Sequence, residues 1–287
     1  MTASATLIPA ASVPTGPAPQ SVPPAAAAPV PAPACWVDGR ATPLVPTAGQ
    51  ATPNRLQGQV CSLCETRKLG LFRTLEDAEL SAGQVPIHAE HIAAGAVIFR
   101  PGEPGNVVYT IRSGLVRFER HGAQGARRIV RLAGRGDLIG QEALLHRPCL
   151  DEAIACTEVD LCRIPCALID ELTQRDGRLP QELMHRLQAA LEDAETWVAE
   201  LSTGLARRRV LHLLATLARY PDAAGRIWLP RRDEIGAMLD MTLETASRLI
   251  SQLRREGVIE RDQPHTARLI TAKLEAAMRR AETTATD

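Results

Sequence analysis

The stretch that decides the fold of this chain is residues 231–271, RRDEIGAMLDMTLETASRLISQLRREGVIERDQPHTARLIT. Asp233 is placed to cap one helix and Thr242 to cap the next, with a short turn at residues 240–241 between them. Gly257 is placed to end the second helix. In that helix apolar residues recur at steps of three and four, which predicts one buried stripe made of Ala246, Leu249, Ile250 and Leu253.

The polar face of the second helix carries side chains suited to base edges. At about 100° per residue, its first two turns place Glu244, Ser247 and Arg248 opposite the apolar stripe. Arg donates to guanine, Glu accepts from cytosine N4, and Ser adapts to either role. Thr242 and Thr245, near the helix start, are further candidate DNA contacts. As an alternative, Glu244 and Arg248 form a surface ion pair at i, i+4.

Two short apolar runs follow this helix, at residues 258–260 and 267–270, on either side of Gln263-Pro264. They predict a two-stranded wing. Two capped helices and a wing form a winged helix-turn-helix, whose recognition helix presents its first residues to the major groove.

Charge supports a local rather than a global DNA-binding surface. The 33 basic and 33 acidic side chains of the 287 residues cancel, which excludes an overall basic coat. Between residues 203 and 273, however, 13 Lys/Arg stand against 8 Asp/Glu, a local net charge of +5. Aromatic residues make up only 3% of the chain, so platforms that stack single-stranded bases are not expected.

Composition also predicts the compartment. Mean hydropathy is −0.09, no apolar run is long enough to cross a membrane, and no basic residue precedes an apolar core at the N-terminus. Seven unevenly spaced cysteines argue against a disulfide scaffold. These features predict a cytoplasmic protein with no membrane partner.

Residues 1–60 differ from the rest of the chain, because they hold 12 of the 21 prolines and few bulky apolar side chains. We expect a disordered, partly polyproline II tail. A protein-interaction adaptor whose working part is this tail is one alternative function.

A sensor domain is expected over residues 61–175, and residues 85–170 within it have the pattern of an antiparallel sandwich or barrel, since short apolar runs recur every 8–12 residues between glycine turns. An enzyme of the cupin kind, with His88, His91 and Glu103 on a metal, is a second alternative. The strands offer mainly apolar residues and Arg, so we predict no enzyme.

A long amphipathic helix is expected over residues 176–202, followed by the winged domain at 203–275 and a tail at 276–287. Its apolar seam predicts a parallel homodimer, although a core helix within one subunit would give the same pattern. The seam residues are Leu183, Leu187, Leu191, Ala194, Val198, Leu201 and Leu205.

Over residues 61–275 the chain resembles the Crp/Fnr family of transcription regulators. The resemblance rests on Leu243–Arg248, similar to the E-x-x-S-R pattern of the Fnr branch, and on the glycine-bounded segments at Gly95, Ile98-Phe99, Gly102-Glu103, Tyr109–Gly114 and Gly136–Gly140. It implies an α+β fold with a cyclic-nucleotide-binding-like β-roll sensor, a dimerisation helix and a C-terminal winged helix-turn-helix. It further implies that Glu244, Ser247 and Arg248 contact a TTGAT half-site, and that β-roll loops such as 136–143 touch RNA polymerase.

Members of this family sense either cyclic AMP or, in the Fnr branch, oxygen through a [4Fe-4S] cluster, so the resemblance raises both as candidate effectors. Cyclic AMP is not expected, because the segment 148–153 lacks the Arg-Ser pair that holds the phosphate, and Asp151 and Glu152 would repel it. The Fnr branch holds a [4Fe-4S] cluster, and Cys61, Cys64 and Cys162 match three of its four cysteines. Gly70 stands near the place of the missing one, so Cys35, Cys156 or an oxygen or nitrogen ligand would complete the set.

Two other interpretations of the cysteines remain open. Cys61 and Cys64 could form a thiol–disulfide switch, since a C-x-x-C pair can have a low potential. Alternatively, this pair has no function and the later cysteines, Cys149, Cys156, Cys162 and Cys166, are small buried residues.

Overall fold

The computed structural model describes residues 64–76, 87–122, 125–175 and 177–283, all within one compact unit that spans Ala48–Asp287. The predicted tail 1–60 and Cys61 lie outside the described residues. No helix in the described ranges is both long and apolar enough to cross a membrane.

The sensor domain has eight strands: β1 (His88–Ile92), β2 (Val97–Phe99), β3 (Val107–Ser113), β4 (Val116–His121), β5 (Arg127–Ala133), β6 (Leu138–Ile139), β7 (Glu152–Ala155) and β8 (Val159–Pro165). They form two four-stranded antiparallel sheets, with strand orders β1-β8-β3-β6 and β2-β7-β4-β5. The alternating burial along β3 places Val108 and Thr110 on one face of its sheet. A core that includes Phe99, Phe118 and Leu161 draws on strands of both sheets. The predicted antiparallel β-roll is therefore confirmed.

Helices dominate the rest of the described chain. A three-stranded antiparallel sheet packs with four of them in the DNA-binding domain, and its strands lie in the order Ile259–Gln263, Thr266–Leu269, Ile227–Trp228. The elements are α1 (Cys166–Arg175), α2 (Arg178–Thr196), a π-helical turn (Trp197–Leu201), α3 (Ala206–Leu217), β9 (Ile227–Trp228), α4 (Arg232–Leu239), α5 (Leu243–Arg255), β10 (Ile259–Gln263), β11 (Thr266–Leu269) and α6 (Thr271–Thr283).

A C-terminal tail was predicted from residue 276 onward, but residues 276–283 are helical. Helix α6 continues to Thr283 and buries Leu274 and Ala277 in the core of the DNA-binding domain. Leu274, Ala277, Met278 and Ala281 follow the i, i+3, i+4, i+7 spacing of an amphipathic helix, so the sequence pattern does contain the signal for α6.

Helix α2 carries an exposed apolar stripe, as the sequence predicts, but its membership differs. The exposed residues follow steps of three and four: Met184, Leu187, Leu191, Ala194 and Val198. The prediction is wrong for Leu201, which is only 2% exposed and packs in a core of its own subunit. Leu183 is half-buried against the sensor core, and Leu205 is exposed but caps α3.

The sensor and the DNA-binding domain share one core. Leu115, Ile129 and Leu132 of the β-roll belong to the same apolar cluster as Leu213 of α3 and Ile235 of α4. Because these contacts are apolar and buried, they fix the helix-turn-helix against the sensor.

A group of five charged side chains, three of them buried, reinforces this contact between strands β4 and β5 and helix α4. Arg117 Nε lies 2.7 Å from Glu119 Oε1, and Arg117 Nη1 lies 3.7 Å from Glu234 Oε1. Arg127 lies 3.6 Å from Glu119 and 3.0 Å from Asp233. We call these five residues the interdomain charge cluster.

Candidate functional site

The first helix of the motif begins at Arg232, so the predicted cap at Asp233 is wrong. The Glu234 carboxylate accepts a hydrogen bond from the Arg231 backbone N–H at 2.7 Å, which completes a capping box around Arg231. Asp233 lies in the first turn and instead pairs with Arg127 of the sensor.

The turn and the second helix agree with the sequence prediction. Asp240 ends α4 in the left-handed region at φ 52° and forms an ion pair with Arg128 of β5. Thr242 caps α5, since its hydroxyl oxygen accepts from the Thr245 N–H at 3.2 Å. Gly257, at φ +70°, follows the last turn of α5.

The predicted DNA-contacting face is open. Glu244, Arg248 and Thr242 are exposed, and Thr245 and Ser247 are partly exposed. The stripe opposite is buried, comprising Ala246, Leu249, Ile250 and Leu253. In the described chain no ion pair joins Glu244 to Arg248, so the surface-pair alternative is not what the structure contains.

One residue of this face was missed from the sequence. Leu243, the first residue of α5, is 59% exposed although it is apolar. An apolar side chain beside Glu244 is suited to contact a thymine methyl group. Its position just before the buried stripe could have signalled this role.

The wing is also present, and it borders a basic groove. Strands β10 and β11 pair antiparallel, with a tight turn at Pro264-His265. A groove of about 300 Å³ between the wing and the start of α4 is lined by residues that include Arg231, Arg232, Arg254 and His265. Guanidinium groups at the edge of a recognition helix suit phosphate oxygens.

The cysteine site lies in the sensor domain and the segment that precedes it. Cys162, in β8, pairs across the sheet with Ala89 and Thr110. Cys64 caps a short 3₁₀ turn (Glu65–Lys68) and lines the same cavity of about 30 Å³ as Cys162, together with Gly70 and Thr110. The structure therefore brings two of the three predicted ligands together.

We tested whether this site fits a four-thiolate cluster. Cys64 and Cys162 are the two cysteines that the described chain places at the cavity, and Gly70 adds no ligand there. No group of three His, Cys, Asp or Glu side chains suited to a metal occurs in the described ranges. A cavity of this size has room for roughly two water molecules. The described residues by themselves do not fit such a cluster.

Cys156 does not complete the ligand set. It packs against the shared core of the two domains, where its Sγ lies 4.0 Å from Arg117 Nη1. Burial raises the pKa of the Cys156 thiol to about 12, so the thiolate is disfavoured there.

The metal site of the enzyme alternative does not form among the described residues. His91 lies in β1 and its Nδ1 is 2.9 Å from Asp160 Oδ1 on the exposed side of the sheet. This hydrogen bond raises the pKa of His91. Glu103 lies instead near Arg100, at 4.0 Å.

The acidic segment that replaces the phosphate-binding pair is neutralised by arginines. Arg120 of β4 binds both carboxylate oxygens of Asp151, at 2.6 and 3.1 Å. Arg100 lies 3.8 Å from Glu152. Both carboxylates therefore have cationic partners within the protein.

Two family models match the chain: the cyclic nucleotide-binding domain over residues 89–176 and the Crp-like helix-turn-helix domain over residues 208–280. The anaerobic regulatory protein of Pasteurella multocida is 28% identical over 208 residues, 69% of this chain and 75% of that protein. The fumarate and nitrate reduction regulatory protein of Escherichia coli is 27% identical over 209 residues, 69% of this chain and 82% of that protein.

Solved structures agree. The CRP/FNR family regulator TTHA1359 from Thermus thermophilus matches with a TM-score of 0.55 and 27% identity, covering 67% of this chain and 98% of the other. The CRP family regulator TTHB099 of the same organism matches with a TM-score of 0.57 and 25% identity, covering 66% and 95%.

The fold and the exposed recognition helix define a DNA-binding transcription regulator with a sensor domain of the cyclic nucleotide-binding type, rather than an enzyme. The chain therefore has the domain composition of a Crp/Fnr-type transcription regulator, with a cyclic nucleotide-binding domain followed by a Crp-like helix-turn-helix domain.

Proposed function

We propose that the chain acts as a homodimer on double-stranded DNA and recognises a palindrome such as TTGAT-N4-ATCAA. The observation that carries this is the open start of α5, where Glu244 and Arg248 are exposed with no ion pair between them. Ser247 contributes a third base contact, and Thr242 and Thr245 lie where they can support it.

A second copy of the chain is the partner that suits the stripe on α2. An exposed heptad-like stripe is stable when it is buried against an equivalent stripe, and a two-fold dimer places two recognition helices on two half-sites. Loops of the β-roll, with 136–143 as the candidate, would contact RNA polymerase in the cytoplasm.

We infer that the regulator responds to oxygen or redox state through a cysteine site that includes Cys64, with Cys162, Cys61 or both as its partners. Two observations support this: Cys64 and Cys162 share one cavity, and two relatives of the chain are named for anaerobic regulation and for fumarate and nitrate reduction. Cyclic AMP remains an effector that we do not expect.

Two kinds of redox chemistry are candidates for this cysteine site, an iron–sulfur cluster and a thiol–disulfide pair. A [4Fe-4S] cluster would use Cys61, Cys64, Cys162 and a ligand other than residue 70. A thiol–disulfide pair would use Cys61 and Cys64 alone. The two differ in iron content and in the response to a thiol reductant.

The first experiment is anaerobic purification, followed by iron and sulfide assays and by titration of the palindrome before and after air. Affinity that falls in air supports a redox-responsive regulator, and equal affinity would refute that response. Iron that is lost in air assigns a cluster, whereas iron-free protein that recovers affinity with dithiothreitol assigns the thiol pair.

A variant separates the two candidates further. In Gly70→Cys, the new Cβ would lie 3.1 Å from Thr66 O and 3.2 Å from Thr110 Cγ2, so small shifts suffice to accommodate it. We expect Gly70→Cys to bind more iron than wild type if the site holds a cluster, and Gly70→Ser to serve as its control. Equal iron in both variants would count against the cluster.

A further inference from the structure

The segment that carries Cys64 is tied to helix α2 by one arginine. Arg186 donates from Nη2 to the Leu69 carbonyl at 2.6 Å, next to Gly70 at the cysteine cavity. From Nη1 it donates to the Gly136 carbonyl in the turn before β6, at 2.7 Å. A single side chain of α2 therefore binds both the cysteine segment and the β-roll.

A buried carboxylate on the same helix face completes the connection. Glu182, one turn before Arg186, is 2% exposed, and its Oε1 lies 2.9 Å from Arg186 Nε. Its other oxygen accepts from Arg73 Nε at 2.7 Å, so the far end of the cysteine segment is held as well. A buried carboxylate requires these partners, because an uncompensated buried charge is strongly unfavourable.

Apolar contacts place the segment on the same region. Leu71, Phe72 and Leu75 are buried in one core with Leu179 at the start of α2, and Leu183 packs against that core. The segment therefore contacts α2 over about two turns, from Leu179 to Arg186. A shift of residues 69–73 changes the acceptors of Arg186 and the donor of Glu182 together.

The dimer stripe begins on the same turns of α2. Met184 lies between Glu182 and Arg186, and Leu187 directly follows Arg186; both apolar side chains are exposed. We propose that Arg186 and Glu182 are positioning residues that couple the cysteine segment 64–76 to the dimer stripe of α2. The inference rests on the proposed function, since it takes that segment as the sensing element.

The coupling has a reciprocal consequence. If the conformation of the segment changes the dimer dissociation constant, dimerisation must change the stability of the docked segment by the same factor. Lys at position 186 keeps the charge beside Glu182 but lacks the planar fork that reaches two carbonyls at once. Arg186→Lys should therefore weaken the coupling without removing the ion pair.

The test uses the full chain with Cys35→Ser and Cys61→Ser, so that N-ethylmaleimide modifies Cys64 as the single N-terminal thiol; peptide mass spectrometry verifies the site. Sedimentation equilibrium then gives the dimer dissociation constant with and without the adduct. We expect the adduct to change it by about tenfold, within the range usual for two coupled sites. Adding Arg186→Lys should reduce that change to about twofold or less.

Two further variants make the result decisive. Arg175→Lys, in the exposed Arg175–Glu171 pair of α1, is the matched control and should leave the full response. Glu182→Gln removes the buried charge at nearly the same volume and should reduce the response, as Arg186→Lys does. An equal response in all variants, or no response of the parent chain, would overturn the coupling. Neither outcome depends on the air response of DNA binding, which tests the proposed function separately.

Discussion

The interdomain charge cluster should make a large contribution to stability, and Arg117→Met tests this. The substitution removes the cation that faces both Glu119 and Glu234, while its unbranched side chain keeps part of the volume. All three side chains are less than 10% exposed, so the two carboxylates cannot regain water without the domains moving apart.

The expected loss of unfolding free energy depends on the ion-pair partners that Glu119 and Glu234 keep in Arg117→Met. Breaking a buried ion pair by removing one partner costs about 3–5 kcal/mol. Glu119 keeps Arg127 at 3.6 Å, and Glu234 keeps Arg231 at 3.2 Å, which offsets part of this cost. We therefore expect a loss near the lower end, about 3 kcal/mol.

The assay is equilibrium unfolding in urea, followed by circular dichroism and by tryptophan fluorescence, since Trp228 is buried in the shared core. Arg120→Met on the same strand is the control, because Arg120 is 55% exposed in its pair with Asp151. That control should cost less than about 1 kcal/mol. If Arg117→Met costs no more than Arg120→Met, the charges do not hold the two domains together and the reasoning fails.

Three further predictions concern DNA, the dimer and the thiols. Arg248→Ala should cost about 1–3 kcal/mol at one base pair of the palindrome, measured by fluorescence anisotropy across operator variants; a uniform loss over all sequences would assign Arg248 to a phosphate. Leu191→Glu should place a charge in the α2 stripe and give monomers in sedimentation, whereas Leu150→Glu, on an exposed sensor loop, should leave dimers; dimers from both would contradict the stripe. Burial raises the pKa of Cys149 to about 11 and of Cys156 to about 12. Iodoacetamide at about pH 8.5 should therefore label both slowly in the folded chain and rapidly in urea; equal rates would show that these thiols are open.

Features set by neighbouring residues were predictable from the sequence. Thr242 and Gly257 bound α5 as expected, and the stripe of Ala246, Leu249, Ile250 and Leu253 is buried. Capping and amphipathic spacing act over one or two helical turns, so a sequence window of that length contains the information. The short strands of the β-roll followed from the same kind of local pattern.

Features that depend on residues far apart in the sequence could not be predicted from it. Asp233 has the chemistry of a helix cap, but Arg127 of the sensor engages it, and Glu234 closes the capping box. Leu201 continues the apolar spacing of α2, yet the shared core buries it. The sequence pattern is the same for a residue that faces a partner and for one that faces its own subunit.

The sequence by itself thus determined the helix-turn-helix, the wing, the β-roll strands and the exposed polar face of α5, because each depends on contacts within a few positions along the chain. The tertiary structure decided that Cys64 shares a cavity with Cys162, 98 positions later, that Arg117 meets Glu234, and that Arg186 holds Leu69. Those contacts join elements far apart in sequence, and packing free energy, rather than any local pattern, brings them together.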